Sequence, residues 1–190
     1  VTVPETVDQW FSVAQPVEIQ PLNGKWLLEN GGAEVKSPYA YASALLPKVP
    51  KECKFEADLC FTRPPREFGI ALQVNENFDR GYYLCFEPHR SRVQYKTGIR
   101  MYEDGGKMFP YEVEMERPIR LAPNTEYHVK IFVQDTVLEV YVNDEIALST
   151  RMFNYTGRQF GLFVAEGEAQ FKNIKLYTAR GIATLNRGQE

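Results

Sequence analysis

Carboxylates set beside amides and aromatic rings recur along this 190-residue chain, and their spacing bears on what chemistry it could do. In "VLEVYVNDEIALST", residues 137–150, Asn143-Asp144 follows an aromatic strand, which suits either a sugar-cutting carboxylate or the corner of a hairpin. In "YEVEMER", Glu112, Glu114 and Glu116 alternate, so an extended strand would set them on one face at the spacing of an acid and base pair. The densest polar cluster is "NENFDRGYY". Its Asn75, Glu76, Asn77, Asp79 and Arg80 offer donors and acceptors for hydroxyls, and Phe78, Tyr82 and Tyr83 offer ring faces. A sugar has polar edges and apolar C–H faces, so that mixture is the composition of a sugar site, though a solvated loop between strands uses the same residues. Arg90 and Arg92, after Pro88, could pair with Glu76, Asp79 or Glu87, or grip a ligand. Glu166 and Glu168 in "VAEGEAQF" fall on what reads as a loop before the last strand.

The elements that must position these residues are strands. In "CKFEADLCFTR" Phe55, Ala57, Leu59 and Phe61 alternate with Lys54, Glu56, Asp58 and Thr62, a strand with one buried face. The pattern returns in "EYHVKIFVQ", "VLEVYV" and "QFGLFVAEG", and strands are also expected in "KWLLENG", "EFGIALQV", "GYYLCFE", "SRVQYKT" and "AQFKNIKLYT". Turn signals such as Asn30-Gly31-Gly32, Pro64-Pro65 and Asn154 to Gly157 separate them, and no run shows a convincing long helix. Many short strands at close intervals predict an all-β chain, an antiparallel β-sandwich or jelly roll. Gly98 to Arg117 reads as a long excursion with a short hairpin, and Asn143-Asp144 then reads as the turn of a hairpin, since Asn and Asp tolerate positive φ.

Composition narrows the function classes. Aromatic residues make up 13% of the chain, which suits pleated surfaces and sugar-binding faces. A net charge of -3 argues against nucleic acid, whose phosphates need a basic patch, and no apolar run approaches the roughly 20 residues of a membrane span. Cys53 and Cys60 sit on one expected strand, roughly 23 Å apart and on opposite faces, too far to pair. The expectation is three free thiols. His89 and His128 stand alone, so no zinc spacing is present. The chain starts at Val1 with no signal-peptide pattern and reads as a piece of something larger, leaving localisation open between cytoplasm and secretion.

"EFGIALQVNENFDRGYYLCFEPHRSRVQYK", "YHVKIFVQDTVLEVYVNDEIALSTRMFN" and "GRQFGLFVAEGEAQFKNIKLY" together resemble the C-terminal sandwich of family-32 glycoside hydrolases, the β-fructosidases, within the concanavalin A-like and laminin-G-like superfamily. The opening "NGKWLLENGGAEVKSPYAYASALLPKVPKECKFEADLCF" is similar to the fructan-binding family-66 carbohydrate-binding module, which carries a Trp where this chain has Ala165. The resemblance covers about Asn23 to Tyr177. It implies a non-catalytic sandwich attached to an N-terminal propeller that hydrolyses fructosyl bonds by two carboxylates. The propeller's motifs are absent here: "YVNDEIA" has no Pro or Gly after its Asn-Asp, Arg-Asp-Pro does not occur, and Glu52-Cys53 is an isolated dipeptide. Related sandwiches leave room for a structural calcium ion; no other cofactor is implied.

The expected organisation is residues 1–20 as a linker or edge strand from a preceding domain, 21–178 as the sandwich, and 179–190 as a polar tail. The expected role is a carbohydrate-binding or structural accessory domain of an enzyme acting on sucrose, levan or inulin. Its partners would be terminal fructosyl units and the propeller. The ligand-binding candidates are Asn75, Glu76, Asn77, Asp79, Arg80, Tyr82, Arg92 and Glu166. Two competing readings are a glycan hydrolase using the Glu112, Glu114 and Glu116 series, and a laminin-G-type interaction domain.

Overall fold

Every second residue of the alternating runs turns inward, and long-range pairing does the rest. The computed structural model describes residues 1–99 and 112–180. They form a short helix α1 (Glu5–Trp10) and strands β1 (Val13–Gln15), β2 (Gln20–Asn23), β3 (Lys25–Glu29), β4 (Gly32–Lys48), β5 (Glu52–Cys60), β6 (Glu67–Leu72) and β7 (Arg80–Glu87). After a 3-10 turn at Pro88–Arg90 come β8 (Arg92–Ile99), β9 (Glu112–Pro118), β10 (Tyr127–Gln134), β11 (Val137–Val142), β12 (Ile146–Arg151) and β13 (Gln159–Thr178). The interior of the expected excursion, residues 100–111, and the tail residues 181–190 lie outside the described residues. Among the described residues no helix is long and apolar enough to cross a membrane.

The strands join in the order β12-β11-β10-β5-β13-β6-β7-β8-β9, with β4 along the other side of β13. β13 serves both layers. Its first half, Gly161–Ala165, pairs with β6, and its second half, from Gln170 to Thr178, pairs with β5. A bulge between Ala165 and Gly167, with Glu166 at φ 52°, marks the change from one layer to the other. The chain is therefore an antiparallel β-sandwich with a β5 sheet and a β7 sheet. Phe55, Leu59, Val129, Ile131 and Val140 of the first meet Phe68, Ile70, Leu84, Phe86 and Tyr95 of the second in one buried cluster. Each such side chain contributes roughly 1.5–3 kcal/mol on burial. Cys53, Cys60 and Cys85 are free and buried, and burial pushes the Cys53 thiol up to about 12.

Asn143-Asp144 makes the β11–β12 corner. Asn143 and Asp144 have φ of 51° and 56°, and the Glu145 N–H donates to the Val142 carbonyl at 3.0 Å, the geometry of a type I′ hairpin turn. Asn143 Oδ1 also accepts the His128 N–H at 2.7 Å, tying the corner to β10.

The N-terminal segment lies on the outer face of the β5 sheet. β1 pairs with the end of β13, Val13 opposite Thr178, and Phe11 packs edge-on against Phe132 with ring centres 5.6 Å apart. Between them Asp8 accepts from the ammonium groups of Lys54 and Lys130, each at 2.8 Å. Lys54 is buried and sits 4.3 Å from the centre of the Tyr177 ring. Burial pushes the Asp8 carboxyl up, but hydrogen bonds from Lys130 and Lys54, and their charges, outweigh it and hold it below its usual 3.8. A depressed folded pKa gives stability that is complete above the unfolded value and is lost as pH falls through the folded one. Asp8→Asn is expected to cost about 1–2 kcal/mol at pH 7. In urea melts at descending pH, the gap between wild type and Asp8→Asn should close below about pH 4; a gap that persists at pH 2 would refute this assignment.

Candidate functional site: a charged row on the β7 sheet

Because Phe68, Phe86, Val93 and Tyr95 face the core, their strand neighbours Glu67, Glu87, Arg92, Gln94 and Lys96 face outward. Register brings them together. Glu87 lies opposite Arg92, Cys85 opposite Gln94 and Tyr83 opposite Lys96, while Phe68 opposite Phe86 sets Glu67 beside Glu87. Gln94 in turn faces Glu116 of β9.

These outward residues form a chain of ion pairs. The Lys96 ammonium lies 3.4 Å from Glu67 and 3.7 Å from Glu87. Arg92 donates through Nε to Glu87, and through Nη1 to Glu116 at 3.2 Å. Gln94 Nε2 donates to the same Glu116 oxygen at 2.8 Å. The row is unusually dry for an outer face, with Glu67 3%, Glu87 8%, Gln94 3% and Lys96 8% exposed. Its Arg92–Glu116 end is the approachable one, the two side chains being 24% and 56% exposed. Burial would lower the Lys96 ammonium, yet the carboxylates of Glu67 and Glu87 around it hold it above its ordinary value, so it stays charged. Hydrogen bonding to Glu87 likewise raises Arg92. Cys85, beneath the row, is pushed well above the usual thiol value by burial and stays a neutral thiol.

One atom in the row is left over. Gln94 Oε1 is buried and accepts no hydrogen bond among the described residues. Burying an acceptor without a donor costs about 1–3 kcal/mol, so its position calls for a donor that the described residues do not supply.

An aromatic wall flanks the row. Tyr41 stacks on Phe163 at 5.9 Å, Tyr83 meets Phe163 edge-on at 5.9 Å, and Phe78 closes the group 6.2 Å from both Tyr41 and Tyr83. Phe78 reaches this place from the β6–β7 loop by lying over Gly161, where an added Cβ would come within 2.1 Å of its ring.

The residues expected from sequence fall in separate settings. Asn75 organises its own loop: its Nδ2 donates to Asp79 at 2.6 Å, and its Oδ1 accepts the N–H groups of Asp79 and Arg80 at 3.1 and 3.2 Å. Glu76, Asn77 and Arg80 point to solvent beside them. Tyr82 is in the core, stacked on Tyr95 at 5.6 Å, with its hydroxyl accepting the Asn154 N–H at 2.7 Å. Arg92 belongs to the charged row. Glu166 sits on the β13 bulge and pairs with Arg66 at 3.3 Å. Glu114 and Glu116 part company at a bulge in the β8–β9 pairing. Glu116 bonds Gln94, whereas Glu114 accepts from Thr97, which alternation puts on the other face. The Glu112 side chain lies outside the described residues. Among the described residues no group of three or more His, Cys, Asp or Glu is placed to hold a metal ion.

Sequence reading passed over Glu67, Gln94 and Lys96. A signal was present: Arg92, Gln94 and Lys96 alternate in "SRVQYK" on a strand whose other face is apolar.

Comparison with known proteins gives this geometry a setting. The family described as "Glycosyl hydrolases family 32 C terminal" matches residues 34–178. No curated protein matches the chain. Among solved structures, the carbohydrate-binding module CBM66 from Bacillus subtilis superposes with a TM-score of 0.70 at 18% identity, over 84% of this chain and 95% of that one. An exo-inulinase from Aspergillus awamori gives 0.58 at 14% identity, over 90% of this chain and 31% of that one. A fructosyltransferase from A. japonicus gives 0.53 at 19% identity, over 83% of this chain and 26% of that one. These likenesses concern the fold, and the chain spans under a third of the length of the two enzymes.

Proposed function

The chain belongs to the family of C-terminal domains of family-32 glycosyl hydrolases, and from that premise we propose that it is an accessory domain that binds carbohydrate at the charged row of the β7 sheet, beside a fructoside-cleaving catalytic domain. The observation that carries the reading is Gln94 Oε1, a buried acceptor lacking a donor among the described residues, between the Arg92–Glu87 pair and Glu116. A sugar hydroxyl is the group such a site lacks. It can donate to Gln94 while accepting from Arg92. A fructosyl unit, with several hydroxyls on a small ring, fits that demand. The exposed Glu76, Asn77 and Arg80 sit at the far end of the sheet, where they would meet only a longer ligand.

Calorimetric titration of the 190-residue chain with sucrose, inulin and levan tests the proposal. Heat is expected with at least one of them, with affinity reduced about tenfold or more in Arg92→Ala and Gln94→Leu, one charge-assisted or one buried hydrogen bond each. Gln94→Leu should fold at least as stably as wild type, because it removes the orphan acceptor. Absence of heat with all three sugars would leave the domain a purely structural companion of its enzyme.

A further inference from the structure

On the other layer, the β3–β4 hairpin and β13 form a surface with different properties. Asn30 and Gly31 turn the hairpin, Leu28 pairing with Ala33 and Glu29 with Gly32. The turn is fastened to β13 by the Ile174 N–H donating to the Gly31 carbonyl at 2.8 Å. Gly32 is pressed so close that an added Cβ would stand 2.9 Å from the Phe171 carbonyl oxygen. A rigid cleft of about 380 Å³ results, lined by Glu29, Asn30, Glu34, Gln170, Lys172 and Asn173 above Phe171. A second cleft of about 300 Å³, lined by Lys25, Trp26, Leu27, Glu34 and Lys36, adjoins it and shares Glu34.

The chemistry of this surface is specific in kind. Carboxylates, amides and ammonium groups alternate along it, so it presents no single-sign field for an ionic ligand. The side chains of Glu29 and Asn30 are exposed and make no hydrogen bond or ion pair among the described residues, and that of Glu34 has a 3.7 Å contact to Lys36. Leu27, 59% exposed, and the edge of Trp26 add apolar surface between the polar groups. The Trp26 ring is fixed by stacking on Phe171 at 6.3 Å and by its N–H donating to the Asn23 carbonyl at 2.7 Å. Pre-placed groups that both donate and accept, interleaved with apolar patches, match neutral sugars, which have hydroxyl edges and C–H faces. Two clefts in line, sharing one carboxylate and open along a sheet edge, match consecutive units of a chain.

We propose that the clefts sharing Glu34 form a groove that binds internal stretches of a neutral polysaccharide, a second carbohydrate site on the opposite layer from the charged row. It stands independently of the site around Gln94, which is dry and approached from one end and so suits a chain terminus or a small sugar.

Affinity electrophoresis of the whole chain in native gels containing inulin, levan or mixed-linkage β-glucan tests this, with Glu29→Ala/Glu34→Ala compared against Arg92→Ala. Glu29 is exposed and Glu34 half-buried, and both are lightly partnered, so the double variant should keep a melting temperature near that of wild type. Retardation by at least one polymer is expected, and the double variant should need about tenfold more polymer for the same retardation. Its response to sucrose in calorimetry should match wild type. Unchanged retardation in the double variant, or loss only in Arg92→Ala, overturns the groove and leaves the Gln94 site standing. A wild-type chain that no polymer retards overturns the groove as well.

Discussion

Glu87→Ala is expected to lower the unfolding free energy by about 3 kcal/mol, read as a shift of the urea midpoint at unchanged slope. Glu87 joins the two halves of the charged row: it is bonded by Arg92 and lies 3.7 Å from the Lys96 ammonium. At 8% exposure, water cannot take over its role. Removing it leaves two cations short of a counter-charge in a dry place, which is the expensive way to break a buried ion pair. Replacing the row as a whole has a different result. A variant carrying Glu67→Met, Glu87→Leu, Arg92→Leu and Lys96→Met exchanges charges for apolar groups of similar volume, and should be more stable than Glu87→Ala. If the row exists to bind sugar, that stable variant will have lost the calorimetric response to fructosides. Recovered stability together with intact binding would show that the row is only a packing solution.

Legibility in the sequence followed the periodicity of each strand. β5 and β10 could be read because one face is core and the other polar, so Phe55, Ala57 and Leu59 alternate visibly with Lys54, Glu56 and Asp58. β4 could not. Its stretch Ala42 to Leu46 is buried on both faces, Ala42 and Leu46 in the central core and Leu45 in the second cluster with Phe163 and Tyr83, and a doubly covered strand shows a continuous run of small and apolar residues instead of alternation. β13 appeared as two strands with a loop around Glu166. The residue is a bulge at positive φ inside one 20-residue strand, and a one-residue insertion disrupts alternation much as a loop does. The charged row was hidden for another reason. Glu67, Glu87 and Lys96 come from three strands, and only the β6–β7 and β7–β8 registers make them neighbours. Local reading favoured the loop Asn75 to Arg80, whose polar groups are adjacent in sequence. Adjacency is also what lets Asn75 bond Asp79 and Arg80 directly, leaving fewer of those groups for a ligand.

Phe171→Ala should be the most damaging single truncation, costing about 4 kcal/mol. Phe171 is fully buried in the half of β13 that holds the β5 sheet. Its ring touches both layers, meeting Phe68 of β6 edge-on at 6.5 Å and stacking on Trp26 of β3 at 6.3 Å. Both neighbours belong to pairings that cannot close over the vacancy: Phe68 is held in register with Phe86, and Trp26 with Val35. The void should therefore persist, adding a cavity cost to the lost transfer energy. Trp26 supplies a local reporter. In a Trp10→Phe background, which removes the half-exposed indole at 51% exposure, Phe171→Ala should shift Trp26 emission to longer wavelength under native conditions, before the urea transition begins. A stability loss near 1 kcal/mol with unchanged emission would mean that the hairpin collapses into the space, in which case the groove at Glu34 would not depend on this ring for its rigidity.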